Sequence, residues 1–204
     1  MRSEGRPECA PAPVDVPLSP ADRVVAKDWA TTQAMARKYR DRSDPWGKGF
    51  KPARRVRNVG DVRSEEVPAL EGKLGEIAFV YYINNAARRE LLKVDFEERR
   101  QGDGGSDFEL VGYRIDVKTR TYGSPSLVRK TDSAGRDKPL LSHRYVFAWL
   151  DRDLSRVQLL GWASRECVMS CPVRQSRYGH MNYEVPDERL ESMRTLATLA
   201  KGGL

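Results

Sequence analysis

Apolar positions change their spacing several times along the chain, and each change marks an element. Between residues 69 and 90, "ALEGKLGEIAFVYYINNAARRE", Leu74, Ile77, Ala78 and Tyr81 recur at helical spacing. Gly72, Phe79 and Ile83 fall on roughly the opposite side, so the pattern predicts a helix sandwiched between two layers. A less regular helix is predicted over 20–42: Pro20 stands before it, Asp22 lies in its first turn, and Val25, Trp29, Met35 and Ala36 give an imperfect apolar face. After residue 90 the period falls to two. "LLKVDF" (91–96) alternates partly, and "SDFEL" (106–110) sets Phe108 and Leu110 against Asp107 and Glu109. "YRIDVKTR" (113–120) alternates sharply, with Tyr113, Ile115, Val117 and Thr119 on one side and Arg114, Asp116, Lys118 and Arg120 on the other. The "VG" between these last two runs is short enough for a hairpin.

Residues 121–142 form a polar, Gly- and Pro-rich excursion of the length that tends to carry function. "RYVFAWL" and "RVQLLGW" then read as strands, "ASRECVM" as a short helix with a serine cap, and "NYEV" as a last strand. "PDERLESMRTLATLAK" closes the chain as a helix with Pro and acids in its first turn. The order α, α, β, β, β, loop, β, β, α, β, α predicts one α/β domain with a mixed sheet over 69–200. The expected organisation places a Pro-rich, disordered or loosely docked lead-in at 1–20. A helix and basic loop at 21–68 would pack on the core. There is no internal repeat.

Charge sharpens this picture. The 204-residue chain carries a net +7, and residues 37–63 alone hold ten Lys or Arg against three acids. The local excess equals that of the whole chain, so the remainder is near neutral. Tyr39, Trp46 and Phe50 are interleaved with these bases. The stretch reads either as a DNA-tracking loop, with Lys48, Lys51, Arg54, Arg55 and Arg57 on phosphates, or as a solvated connection with an aromatic anchor. No run approaches eighteen apolar residues, so no transmembrane helix is expected. The N-terminus lacks a signal peptide's apolar stretch, and three cysteines suit a reducing cytoplasm better than secretion. Cys167, Cys171 and His180 could be read as zinc ligands, but a second well-formed pair is lacking, which favours free residues.

The carboxylates raise the chemical question. Glu76 lies in an apolar stripe of the sandwiched helix, where an unpartnered charge would cost several kcal/mol in order of magnitude. Asp116 and Lys118 leave the same face of a strand roughly 7 Å apart, and a hairpin can bring Asp107 beside them. Three carboxylates converging in a partly buried pocket repel one another unless a cation lies between them, and a hard ion with oxygen ligands, most simply Mg²⁺, meets that need. Such an ion lowers the pKa of bound water and polarises a phosphoryl oxygen, while Lys118 would orient the water or offset developing charge. Otherwise Asp107 caps a turn and Asp116 with Lys118 decorates an exposed strand. Arg120 could grip a phosphate or merely balance Asp116, and Glu109 could be a further ligand or point to solvent past the strand end. Gly102, Gly104 and Gly105 suit a tight turn rather than a phosphate cradle.

"SD" followed nine residues later by "DVK", below a helical "GE", resembles the PD-(D/E)XK nuclease superfamily over residues 72–120. The wording "GDGGSDF…IDVKTR" is similar to small nucleases of phages and prophages, and more distantly to archaeal junction resolvases. Ser106 stands where that half-motif usually has proline. The resemblance implies a restriction-endonuclease-like αβββαβ core, a central mixed sheet flanked by helices. It also implies metal binding by Glu76, Asp107 and Asp116, with Lys118 assisting catalysis. The expected activity is hydrolysis of DNA phosphodiesters with Mg²⁺, for which Mn²⁺ should substitute, in a cytoplasm that is the host's if the protein is phage-encoded. Cutting both strands of a duplex would favour a homodimer. The competing expectations are a basic nucleic-acid-binding or assembly protein that keeps the fold without chemistry, and a nuclease for branched DNA or RNA.

Overall fold

The computed structural model describes residues 10–40, 66–96, 106–121, 125–132, 135–176 and 179–202. The class is mixed α/β. Among the described residues eight strands appear in two sheets: β1 Val14–Pro17, β2 Phe108–Leu110, β3 Tyr113–Thr121, β4 Ser126–Arg129, β5 Arg144–Leu150, β6 Arg156–Ser164, β7 Val173–Gln175 and β8 Met181–Val185. The larger sheet has the order β1-β6-β5-β3-β2, and the smaller β4-β8-β7. Among these eight strands β3 and β5 run parallel and the other pairs are antiparallel. β5 and β6 are central and covered on both faces, which is why they read as almost unbroken apolar runs.

Helix α2 (Glu66–Ala87) lies across one face of the larger sheet, with α1 (Pro20–Arg40) and α4 (Met193–Gly202) packed on it. Leu74, Ile77, Phe79 and Ile83 meet Ile115, Val117 and Val146 of the sheet and Leu196 of α4 in one core. The expected sandwich is present. Gly75 permits the closest approach, since a Cβ there would collide with the Thr119 hydroxyl of β3. Tyr81, expected in the apolar stripe, is 46% exposed instead, and its hydroxyl donates to Asp22 Oδ1 of α1 at 2.6 Å. Asp22 also closes a capping box with Ser19 at the start of α1.

The opposite face carries a second core. Tyr145, Phe147 and Leu160 of the large sheet meet Val128 of β4, Val185 of β8 and Val168 of the short α3 (Arg165–Met169). Helices therefore flank the sheet chiefly on one side; the small sheet and α3 close the other. Alternation is the physical reason, because Tyr145 and Phe147 point away from α2 while Val146 and Ala148 point toward it.

Three further segments carry detail that the periodicity does not show. The lead-in is docked at Val14–Pro17, which pairs with β6 and buries Val16; its alternating valines supply an edge strand despite the surrounding prolines. Residues 91–96 join no sheet among the described residues. The Asn84 side chain accepts from the N–H groups of Leu91 and Leu92 and donates to the Leu92 carbonyl, in place of a neighbouring strand. The closing helix starts only at Met193, because Glu191 makes a two-bond bridge with Trp162 and Leu190 is drawn into the second core.

Candidate functional site

The β2–β3 hairpin turns at Val111 and Gly112, both with positive φ (49° and 76°), a geometry whose twist matches paired strands. Pairing begins at Phe108, so beside Val117 the edge of β3 has no strand to bond among the described residues. Asp107 fills that gap. Its N–H donates to the Ile115 carbonyl at 2.8 Å, and its Oδ2 accepts from the Val117 N–H at 2.6 Å. The carboxylate thus stands at the sheet edge, within reach of both faces.

Asp116 and Lys118 leave β3 on the face away from α2, as their alternation predicts. The Lys118 ammonium lies 2.7 Å from one Asp116 oxygen and 2.6 Å from the other. The lysine is 34% exposed and the aspartate 13%. Glu76 approaches from α2 and is held by Lys73 one turn earlier, at 2.6 Å. Lys73 is only 5% exposed. Its ammonium also donates to the Asp95 carbonyl at 2.8 Å and sits 4.3 Å from the Trp29 ring centroid and 5.6 Å from that of Phe96. Two aromatic faces and two oxygens replace the water this cation has lost.

These carboxylates act on one another. Burial, then the charge of Asp116, then that of Glu76, push the Asp107 carboxyl up from 3.8 to about 8, against the opposing pull of the Val117 N–H and Lys118. Three carboxylates face two ammonium groups, and the unmatched negative charge adds to burial in raising the Asp107 carboxyl. Tyr145, beside Asp116 in the strand register, is buried; burial and then the Asp116 charge raise its phenol to about 12.

Glu76, Asp107, Asp116 and Lys118 thus gather in one electrostatic neighbourhood. Each carboxylate has a protein partner, and among the described residues no group of three or more His, Cys, Asp or Glu is arranged as a ready metal shell. Arg120 is turned to structure: its Nη2 donates to the Leu127 carbonyl at 3.0 Å, and burial lowers its pKa to about 10. Glu109 is exposed. Lys48, Lys51, Arg54, Arg55 and Arg57 lie outside the described residues. Cys167 and Cys171 are free thiols, with the Cys171 thiol donating to the Cys167 carbonyl at 3.2 Å.

Lys73 was not singled out from the sequence. A cation three residues before a carboxylate on a helix apolar all round was the available signal. Arg129 and Lys138, which line a cleft of about 100 Å³ beside Asp116 and Lys118, gave no such signal within a polar excursion. No helix among the described residues is long and apolar enough to cross a membrane. No family model, curated protein or solved structure matches the chain.

Proposed function

We propose that the protein is a metal-dependent nuclease that hydrolyses DNA phosphodiesters, with a restriction-endonuclease-like core formed by α2, the β2–β3 hairpin and the strands beside it. One arrangement carries the reading: Asp107, fixed at the edge of β3 by the Val117 N–H, shares a buried neighbourhood with Asp116 and Glu76, whose charges add to burial in raising its carboxyl. Such a cluster holds a proton where a cation would serve better. The donor set is all oxygen, which suits Mg²⁺ or Mn²⁺, and Glu76, Asp107 and Asp116 are the residues to hold it. The bound ion would supply activated water and a polarised phosphoryl oxygen.

The chain's own groups do the rest. Lys118 is partly exposed at the mouth of the cleft and can exchange Asp116 for a phosphoryl oxygen as charge develops there. Lys73 keeps the Glu76 carboxylate aimed from α2, and the Val117 N–H orients Asp107. The basic 37–63 stretch would lie along the DNA backbone, and cutting both strands would call for a homodimer.

The test is cleavage of plasmid and short branched DNA with Mg²⁺. Asp116→Ala and Lys118→Ala should abolish cutting while the protein stays folded; full activity in both would overturn the reading. A second reading is favoured by the satisfied state of each carboxylate: a nucleic-acid-binding protein on the same fold without chemistry. Binding without any cutting, and without saturable Mn²⁺ uptake, would select it.

A further inference from the structure

The excursion between β3 and β5 builds a wall over the active face of β3. β4 hangs from β8 in the small sheet, and Arg120 ties it back to β3 through the Leu127 carbonyl. Beyond β4 the chain folds on itself: Lys138 N donates to the Lys130 carbonyl at 2.6 Å and Asp132 N to the Arg136 carbonyl at 2.8 Å. Between this wall and β3 lies the cleft, with Asp116, Lys118 and Tyr145 on one side and Arg129, Lys138 and Leu140 among the residues on the other. At about 100 Å³ it far exceeds the roughly 10–15 Å³ that one water needs.

The charges around it are unevenly spent. The wall's two acids are occupied within the wall, Asp137 by Lys130 at 2.6 Å and Asp132 by Arg136 at 2.8 Å. Asp116 and Lys118 neutralise each other. Arg129 and Lys138 are left as exposed cations with no acidic partner among the described residues. A cleft with two uncommitted cations beside a lysine–carboxylate pair suits a group that is small, anionic and rich in acceptor oxygens.

We propose that this cleft is a phosphate subsite, in which Arg129 and Lys138 grip a backbone phosphate of the nucleic acid next to the one facing Asp116 and Lys118. The proposal deepens the nuclease reading and rests on it for its choice of ligand. It also accounts for the excursion, whose wall sets the track of the strand past the carboxylates.

Binding of a short fluorescent duplex by the full chain, in EDTA and over a series of salt concentrations, tests it without cleavage. Arg129→Ala/Lys138→Ala should weaken binding roughly tenfold at 0.1 M salt and make the salt dependence shallower by about 1–2. Arg89→Ala/Arg152→Ala removes equal charge from exposed positions elsewhere and should leave that slope unchanged. Equal affinity and slope in the cleft variant and the wild type, equal losses in both double variants, or no duplex binding by the wild type would each overturn the proposal. A Mg²⁺ cleavage assay separates the two claims. Cleft-dependent binding with no cutting by the wild type sinks the nuclease reading alone, whereas normal cutting and binding by the cleft variant sinks the subsite alone.

Discussion

Two lysine–carboxylate pairs meet around Asp107, and their surroundings differ. Lys73 and Glu76 lie on α2, 5% and 16% exposed, with the ammonium enclosed by Trp29, Phe96 and the Asp95 carbonyl. Lys118 and Asp116 lie on β3 at equally short range, but the lysine is 34% exposed and both open into the cleft. Separation alone therefore says little about role. A caged lysine has nowhere to go and can only hold its carboxylate in place. A lysine at the mouth of a cleft can leave its carboxylate for a substrate oxygen. The first pair is built for position, the second for exchange.

That contrast can be broken by removing each lysine in turn. Lys73→Met strands Glu76 in a largely buried site and should cost about 3–5 kcal/mol in urea denaturation. Lys118→Met leaves Asp116, 13% exposed but lining the cleft, without its cation; it should cost less, about 1–3 kcal/mol, yet lower cleavage by at least about 100-fold. Similar stability losses in both variants would erase the distinction.

An effect approaching that size is expected from pH. Because folding raises the Asp107 carboxyl from 3.8 to about 8, the folded state keeps a proton that the unfolded chain releases. Its contribution is therefore complete below about pH 4 and is lost as pH rises to about 8, by several kcal/mol in order of magnitude. The metal-free wild type should lose stability across this window relative to Asp107→Asn, and Mg²⁺ should restore it at the alkaline end. Parallel stability–pH curves for the two proteins would contradict this.

Smaller changes sharpen the positioning half of the comparison. Gly75→Ala drives a methyl into Thr119, lifts α2 from β3 and should cost about 1–3 kcal/mol while weakening Mn²⁺ binding through Glu76. Arg120→Met removes the bond to the Leu127 carbonyl and should cost on the order of 1 kcal/mol, with the salt dependence of DNA binding unchanged. A shallower slope in that variant would return Arg120 to the phosphate role its sequence position suggests.

The sandwiched helix, the β2–β3 hairpin and the two central strands were legible because periodicity reports burial directly. Residues 91–96 were misread since a partly alternating run looks the same whether a strand or one asparagine side chain satisfies its backbone. Val14–Pro17 was hidden by the prolines around it, although edge positions tolerate proline. Within the site, the need of Glu76 for a partner followed from the pattern, and Asp107, Asp116 and Lys118 followed from the hairpin. That Lys73 meets the need did not follow, because its cage is assembled from α1, α2 and the segment ending at Phe96. Nor could spacing show that Arg120 turns toward β4 while Arg129 and Lys138 reach the cleft.

Calorimetric titration of Mn²⁺ into the wild type, Asp107→Asn and Asp116→Asn tests most directly whether the three carboxylates share a cation. The account predicts a saturable site in the wild type, with affinity at least about tenfold lower in each variant. No saturable uptake by the wild type, or the same affinity in all three proteins, would contradict it.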